Sequence, residues 1–191
     1  FLNDTEVNTS SSNSYSATGL TVSSTYKINI KAYDINGNVS ASSSSILVHT
    51  GADNVSASDL FISEYIEGSS NNKAIEISNY TGVSIDLSSY SLKKQINGSG
   101  AWSGTPISLN GTLLNGDVYV IANSSASSTI LTQSDINTSS QVVTFNGNDP
   151  IGLFKNDVLI DIIGVFDGGG TNFAENVTLQ RKSSVTSPNN S

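Results

Sequence analysis

The run Ser63–Ile77, SEYIEGSSNNKAIEI, decides how this chain is read. It begins inside an apolar stretch, Leu60 to Ile66, with the composition of a β-strand. It breaks at Gly68-Ser69-Ser70-Asn71-Asn72 and resumes as a second strand, Lys73 to Ser78. Gly, Ser and Asn are turn formers, because they tolerate left-handed backbone or hydrogen-bond their own main chain, so the break is a loop joining two strands. Three carboxylates, Glu64, Glu67 and Glu76, stand around that turn.

Outward from this hairpin the same grammar repeats. Val83 to Leu87 leads to Tyr90-Ser91-Leu92. Trp102 to Leu109 follows a Gly/Ser loop, and Asn115-Gly116-Asp117 turns into Val118 to Ala122. Ala126 to Ile136 is rich in hydroxyls and has room for one short helix, and Gln141 to Phe145 has strand composition. Ile151 to Phe154 and Val158 to Ile163, joined by Lys155-Asn156-Asp157, form a hairpin; Val177 to Arg181 is a late strand. Short strands at this spacing predict an antiparallel sandwich.

Upstream, Asn13 to Ala17 is expected to be a strand. Thr25 to Tyr33 alternates Tyr26, Ile28, Ile30 and Ala32 against a polar set, which describes a half-buried strand. Asn36-Gly37 is a strong hairpin signal, and Ser44 to Thr50 returns. Leu20 followed by Tyr26 fits a tyrosine corner, in which the Tyr hydroxyl bonds to upstream backbone.

Two resemblances follow. Leu20, Tyr26, Ala32, Asp34, Gly37, Asn38 and Ser40 resemble the C-terminal part of a fibronectin type III domain. Residues 59–188 resemble a lamin tail domain of bacterial secreted type. That likeness rests on the opening run, Asp86-Leu87 with Tyr90-Ser91-Leu92, and Gly111-Thr112-Leu113 with Gly116-Asp117. It also rests on Val120-Ile121-Ala122-Asn123, Phe145-Asn146-Gly147-Asn148-Asp149, and Asp161 to Gly164. The second resemblance implies a closing strand beyond Arg181-Lys182, often bearing a Trp, and that strand is expected to be absent here.

Composition narrows the function. With 191 residues the chain has room for one or two domains. The net charge of −8, without a Lys/Arg cluster, disfavours binding to phosphate backbones or anionic lipid surfaces. Zero cysteines exclude disulfides, thiol catalysis and thiolate metal sites. No apolar run nears the roughly 20 residues of a membrane span. Phe1-Leu2-Asn3-Asp4 lacks a basic leader, so the chain is expected to be part of something longer.

The candidate chemistry is sparse. Glu64, Glu67 and Glu76, with Asn71, Asn72 and carbonyls, could supply oxygens to Ca²⁺. By period two, Glu64 shares a face with Leu60, Ile62 and Ile66, and a carboxylate there needs a partner; Lys73 or Arg181 could serve. The ion pair is the favoured reading. Asp34-Ile35-Asn36-Gly37-Asn38 starts like an EF-hand loop, but Val39 stands where that loop needs Gly, so the hairpin explains it. Asp167 to Glu175 reads as a flexible Gly loop. His49, the sole histidine, ends a strand, and no G-x-S-x-G elbow surrounds any Ser. Trp102 could stack on a sugar or a base; the plainer reading caps the edge of the sandwich.

The resulting expectation is all-β, with two immunoglobulin-like antiparallel sandwiches. Residues 1–50 form an incomplete fibronectin-like module, 51–58 a linker, and 59–191 a lamin tail-like sandwich. The resemblance implies a non-catalytic module of a larger secreted or cell-surface bacterial protein, with no cofactor beyond a possible Ca²⁺. Such a module spaces, docks or tethers a protein partner or an adjacent domain of the same chain, with no nucleic acid and no membrane insertion. The alternatives are a carbohydrate-binding adhesin and the accessory part of an extracellular nuclease or hydrolase.

Overall fold

The structure is a computed structural model, and it describes residues 2–3, 17–21, 24–49, 56–182 and 184–191. The chain divides into two compact units, Phe1–Asn54 and Val55–Ser191. No helix among the described residues is long and apolar enough to cross a membrane.

In the first unit, β1 (Thr25–Ile28) pairs antiparallel with β2 (Ile46–His49). Leu2 bridges to Ile28 on the other side of β1. The Asn36-Gly37 turn is present: Asp34 exchanges backbone hydrogen bonds with Gly37 and Asn38, and its Oδ1 accepts the Asn36 and Asn38 amides. The Thr21 amide donates to the Tyr26 hydroxyl at 2.8 Å, the contact a tyrosine corner makes. Ile30, Ile46 and Leu47 are exposed. Most of the strand expected at Asn13 to Ala17 lies outside the described residues, as does the His49 side chain.

The second unit is the sandwich. It begins with β3 (Phe61–Glu67), β4 (Lys73–Ser78), β5 (Ile85–Asp86), β6 (Tyr90–Lys94), β7 (Ile107–Ser108) and β8 (Thr112–Leu113). Next come β9 (Val118–Asn123), the one-turn helix α1 (Ser128–Leu131) and β10 (Ile136–Thr138). Last are β11 (Ile151–Lys155), β12 (Val158–Ile163) and β13 (Thr178–Gln180). One sheet runs β10-β9-β4-β3-β13, the other β12-β11-β6-β7, and β5 pairs with β8. Every pairing in the two main sheets is antiparallel except β10 with β9. Alternation fills the space between the sheets: Ile75, Ile77 and Ile121 from one meet Tyr90, Leu92, Ile151 and Leu153 from the other. β11 and β12 join through Asn156-Asp157, both left-handed, the two-residue loop whose twist matches paired strands. Ser56 and Ala57, expected in the linker, hydrogen-bond to Thr81 and Tyr80 of this unit.

Gln141 to Phe145 departs from its expected strand. Gln141–Val143 is a 3-10 turn, with the Ser140 side chain accepting the Val142 amide as a cap. Val142, Val143 and Phe145 are all buried in the core. Their apolar, β-branched composition records burial, and a capped turn serves that burial as well as a strand would.

Candidate functional site

The geometry turns on one extra residue in β3. Phe61 and Ile62 pair with Ser78 and Ile77, but the next pair is Glu64 with Glu76, so Ser63 is bulged. A bulge shifts the alternation of every side chain beyond it. Leu60 and Ile62 face the core before it, and Tyr65 and Glu67 after it. The expected face of Leu60, Ile62, Glu64 and Ile66 is therefore corrected: Glu64 and Ile66 are only half-buried.

The three carboxylates of the opening run part company. Glu64 accepts a hydrogen bond from Gln180 at 3.1 Å, and Glu76, opposite it, accepts from the Ser63 hydroxyl at 2.7 Å. Glu67 is buried at 3 % exposure. The Lys73 ammonium binds both its carboxylate and the Gly68 carbonyl, and the Asn176 amide donates to its second oxygen. The cation expected for Glu64 thus serves Glu67. Among the described residues, no three His, Cys, Asp or Glu side chains gather as a metal site.

The neighbouring turn positions that amide. Gly147 is left-handed, and a Cβ there would lie 2.5 Å from the Glu175 backbone. The absent side chain lets the 172–176 loop close on Gly147, whose carbonyl accepts from both Phe173 and Ala174. Tyr65 stacks on Phe145 beneath this loop, with ring centroids 4.5 Å apart. Burial, then the nearby Glu67 charge, pushes the Tyr65 hydroxyl far above its ordinary pKa.

The second candidate cation, Arg181, goes to Asp161. Asp161 lies on β12, is fully buried, and takes two hydrogen bonds from Arg181 Nη2 at 2.7 and 2.9 Å. It also accepts the amides of Ile62 and Asn189, each at 2.7 Å. Arg181 in turn satisfies the bulge. Its Nε donates to the Ile62 carbonyl and its amide to the Ser63 carbonyl. One ion pair therefore joins the edge of one sheet to the irregularity in the other. Burial pushes the Asp161 carboxyl up, against the pull of the two amides and the guanidinium.

Two further pairs close the sandwich. Lys94 meets Asp149 at 3.3 Å with both side chains buried, and the Asn97 amide donates to the other Asp149 oxygen. Asp59 joins Lys155 at 2.7 Å and accepts the Tyr90 hydroxyl at 2.5 Å. Burial raises Asp59, but Lys155, Tyr90 and the Leu60 amide together hold its carboxyl below the ordinary range. Asp59 keeps Lys155 charged beyond its ordinary range, and burial first, then Asp59, raises Tyr90.

These directions carry a sign. A lowered carboxyl contributes stability present above about pH 4 and lost as pH falls through its folded pKa. Raised Lys and Tyr groups contribute stability present below about pH 10 and lost as pH rises through their folded values. Tyr90→Phe is expected to cost about 1.5–3 kcal/mol at neutral pH, the worth of a hydrogen bond to a charged group. It is also expected to flatten the alkaline loss of stability, because one raised group is gone. Urea melts at pH 7 and pH 10.5 check this; parallel pH profiles for Tyr90→Phe and wild type would contradict it.

Trp102 is half-buried on the outer face of the four-stranded sheet. Its ring stacks on Phe166 with centroids 5.0 Å apart and meets Phe154 edge-on at 5.2 Å. Gly152 makes room beneath, since a Cβ there would lie 2.9 Å from the indole. The indole is packing, and Phe166, at 41 % exposure, is the more open ring.

Asp161, Asp149 and Asp59 were not among the expected site residues. The signal for Asp161 was present: a lone carboxylate inside the apolar run VLIDII demands a buried partner.

Comparison with curated proteins gives no match. The family model described as Lamin Tail Domain matches residues 53–167, more than half of the chain, which carries the β3–β4 hairpin, the bulge and Asp161. With its immunoglobulin-like sandwich, the chain belongs to the lamin tail domain family.

Proposed function

We propose that this chain is a non-catalytic interaction part of a larger secreted or cell-surface bacterial protein. In this reading a fibronectin type III-like segment and the lamin tail domain space or tether a partner domain. The observation that carries it is where the buried charge goes. Glu67, Asp149 and Asp161 are each matched by a cation and a backbone amide. A carboxylate held in this way is committed to architecture, whereas a catalytic one needs an open approach to substrate. The tyrosine-corner contact and the Asn36-Gly37 hairpin support the fibronectin-like part. The carbohydrate-binding alternative has less support, because the Trp102 ring is occupied by Phe154 and Phe166.

The purified chain is expected to leave DNA and RNA uncut, with or without Mg²⁺. Cleavage that survives repurification and disappears in Asp167→Asn or Glu175→Gln would overturn the reading. Those are carboxylates of the Gly loop and lie outside the buried ion pairs.

A further inference from the structure

The sequence contains Asn-Gly five times: Asn36-Gly37, Asn97-Gly98, Asn110-Gly111, Asn115-Gly116 and Asn146-Gly147. In this dipeptide no Cβ on the second residue obstructs its nitrogen, which can therefore reach the side-chain carbonyl carbon of the asparagine. Attack forms a bond from the glycine nitrogen to Cγ. It breaks the bond from Cγ to the side-chain nitrogen, which leaves as ammonia with the glycine amide proton. The product is a five-membered succinimide. Water then opens the ring: addition at Cγ gives aspartate, and addition at the main-chain carbonyl gives isoaspartate. The sum is asparagine plus water giving a carboxylic acid plus ammonia.

What already holds the two reacting groups decides where this happens. Leu109-Asn110-Gly111 and Leu114-Asn115-Gly116 are the same tripeptide in two surroundings, both exposed. At Asn115 both groups are tied. Its Oδ1 accepts the Gly82 amide at 2.7 Å, and the Gly116 amide donates to the Asn79 carbonyl at 2.7 Å. At Asn110 neither the side chain nor the Gly111 amide has a hydrogen-bond partner among the described residues. The flanking strands β7 and β8 have two residues each, so few ladder bonds oppose the local shift that ring closure needs.

The other three sites are restrained. The Gly37 amide donates to the Asp34 carbonyl at 3.1 Å. Gly98 and Gly147 are buried. A Cβ on Gly98 would lie 2.4 Å from the Gly169 carbonyl oxygen, and one on Gly147 2.5 Å from the Glu175 main chain. Backbone packed that closely cannot fold into a ring unless the covering loop opens. At Gly111 nothing lies within 4 Å of the same position.

We infer that Asn110 is a self-modification site, the asparagine that the folded chain deamidates with water as its one co-reactant. The product adds a negative charge to the formal −8. As isoaspartate it also inserts an extra main-chain carbon between β7 and β8, beside the bond from the Leu87 amide to the Gly111 carbonyl. The change accumulates with the age of the molecule. Deamidation here neither needs nor weakens the interaction reading above.

The test ages the full chain in mildly alkaline buffer, folded and in denaturing urea, and follows each Asn-Gly by peptide mass mapping. In the folded chain Asn110 is expected to convert about tenfold faster than Asn115, where two hydrogen bonds must open first. In urea the two matched tripeptides are expected to convert at similar rates. Asn110 is expected to yield both aspartate and isoaspartate, seen as two chromatographic peaks of one mass, and Asn110→Gln to remove both peaks. The inference falls if another Asn-Gly converts as fast as Asn110 in the folded chain. It also falls if folding leaves the ratio of Asn110 to Asn115 unchanged, or if Asn110 yields aspartate alone, which is direct hydrolysis without the ring.

Discussion

Arg181→Met is expected to destabilise the sandwich by about 3–5 kcal/mol, the usual cost of removing one partner of a buried ion pair. Asp161 is fully buried, so its carboxylate would lose the only cation it meets among the described residues. The Ile62 carbonyl, opened by the bulge, would also lose its donor. For a unit of this size the melting temperature should drop by roughly 10–20 °C.

The loss should depend on pH in a definite direction. The Asp161 carboxyl already sits above its ordinary pKa because of burial, and without Arg181 it would rise further. A raised carboxyl binds more protons in the folded state than in the unfolded one, so stability falls as pH rises through its folded value. Arg181→Met should therefore recover part of its deficit as pH falls towards about 4. Adding Asp161→Asn should recover part of it at neutral pH, since the side chain then carries no charge, although its single oxygen accepts from only one of the Ile62 and Asn189 amides. Equal melting of Arg181→Met and wild type at pH 7, or a deficit in Arg181→Met that deepens on acidification, would show that the pair is not the staple described.

Much of this architecture was legible in the chain. Lys155-Asn156-Asp157 between apolar runs specified a hairpin; in the structure Lys155 ends the strand, and Asn156 and Asp157 are the left-handed pair of a two-residue loop. Lys73 to Ser78 was legible as a strand with the bounds that β4 has. The site was less legible, for two physical reasons. A bulge is a single additional residue with no composition of its own, and Ser63 gave no sign that the phase of β3 would change there. Ion pairing is a matter of distance in space. Arg181 finds Asp161 20 residues away and Ile62 119 residues away, so the sequence could mark Asp161 as needing a partner without saying which. The expectation that Lys73 or Arg181 would serve Glu64 failed on these two counts together.

That failure can be tested within the opening hairpin. Glu67→Ala is expected to cost about 3–5 kcal/mol, because Lys73 is nearly as buried as its partner and would be left with the Gly68 carbonyl as its one hydrogen-bond acceptor among the described residues. The Asn176 amide would lose its acceptor as well, loosening the loop that closes on Gly147. Glu64→Ala is expected to cost less than about 1 kcal/mol. It removes one bond from Gln180, and it also relieves the repulsion from Glu76 across the ladder. The two substitutions are alike in chemistry and three positions apart, so the contrast isolates the phase shift made by the bulge. A double-substitution cycle of Glu67→Ala with Lys73→Met should return a coupling of about 1–3 kcal/mol, and the same cycle with Glu64 a coupling near zero. Ca²⁺ provides the complementary control. If Glu64 and Glu76 held the ion, added Ca²⁺ would raise the melting temperature by mass action, and the rise would vanish in Glu64→Gln. That result, together with equal costs for Glu64→Ala and Glu67→Ala, would return the hairpin to the metal reading and displace the ion pair from it.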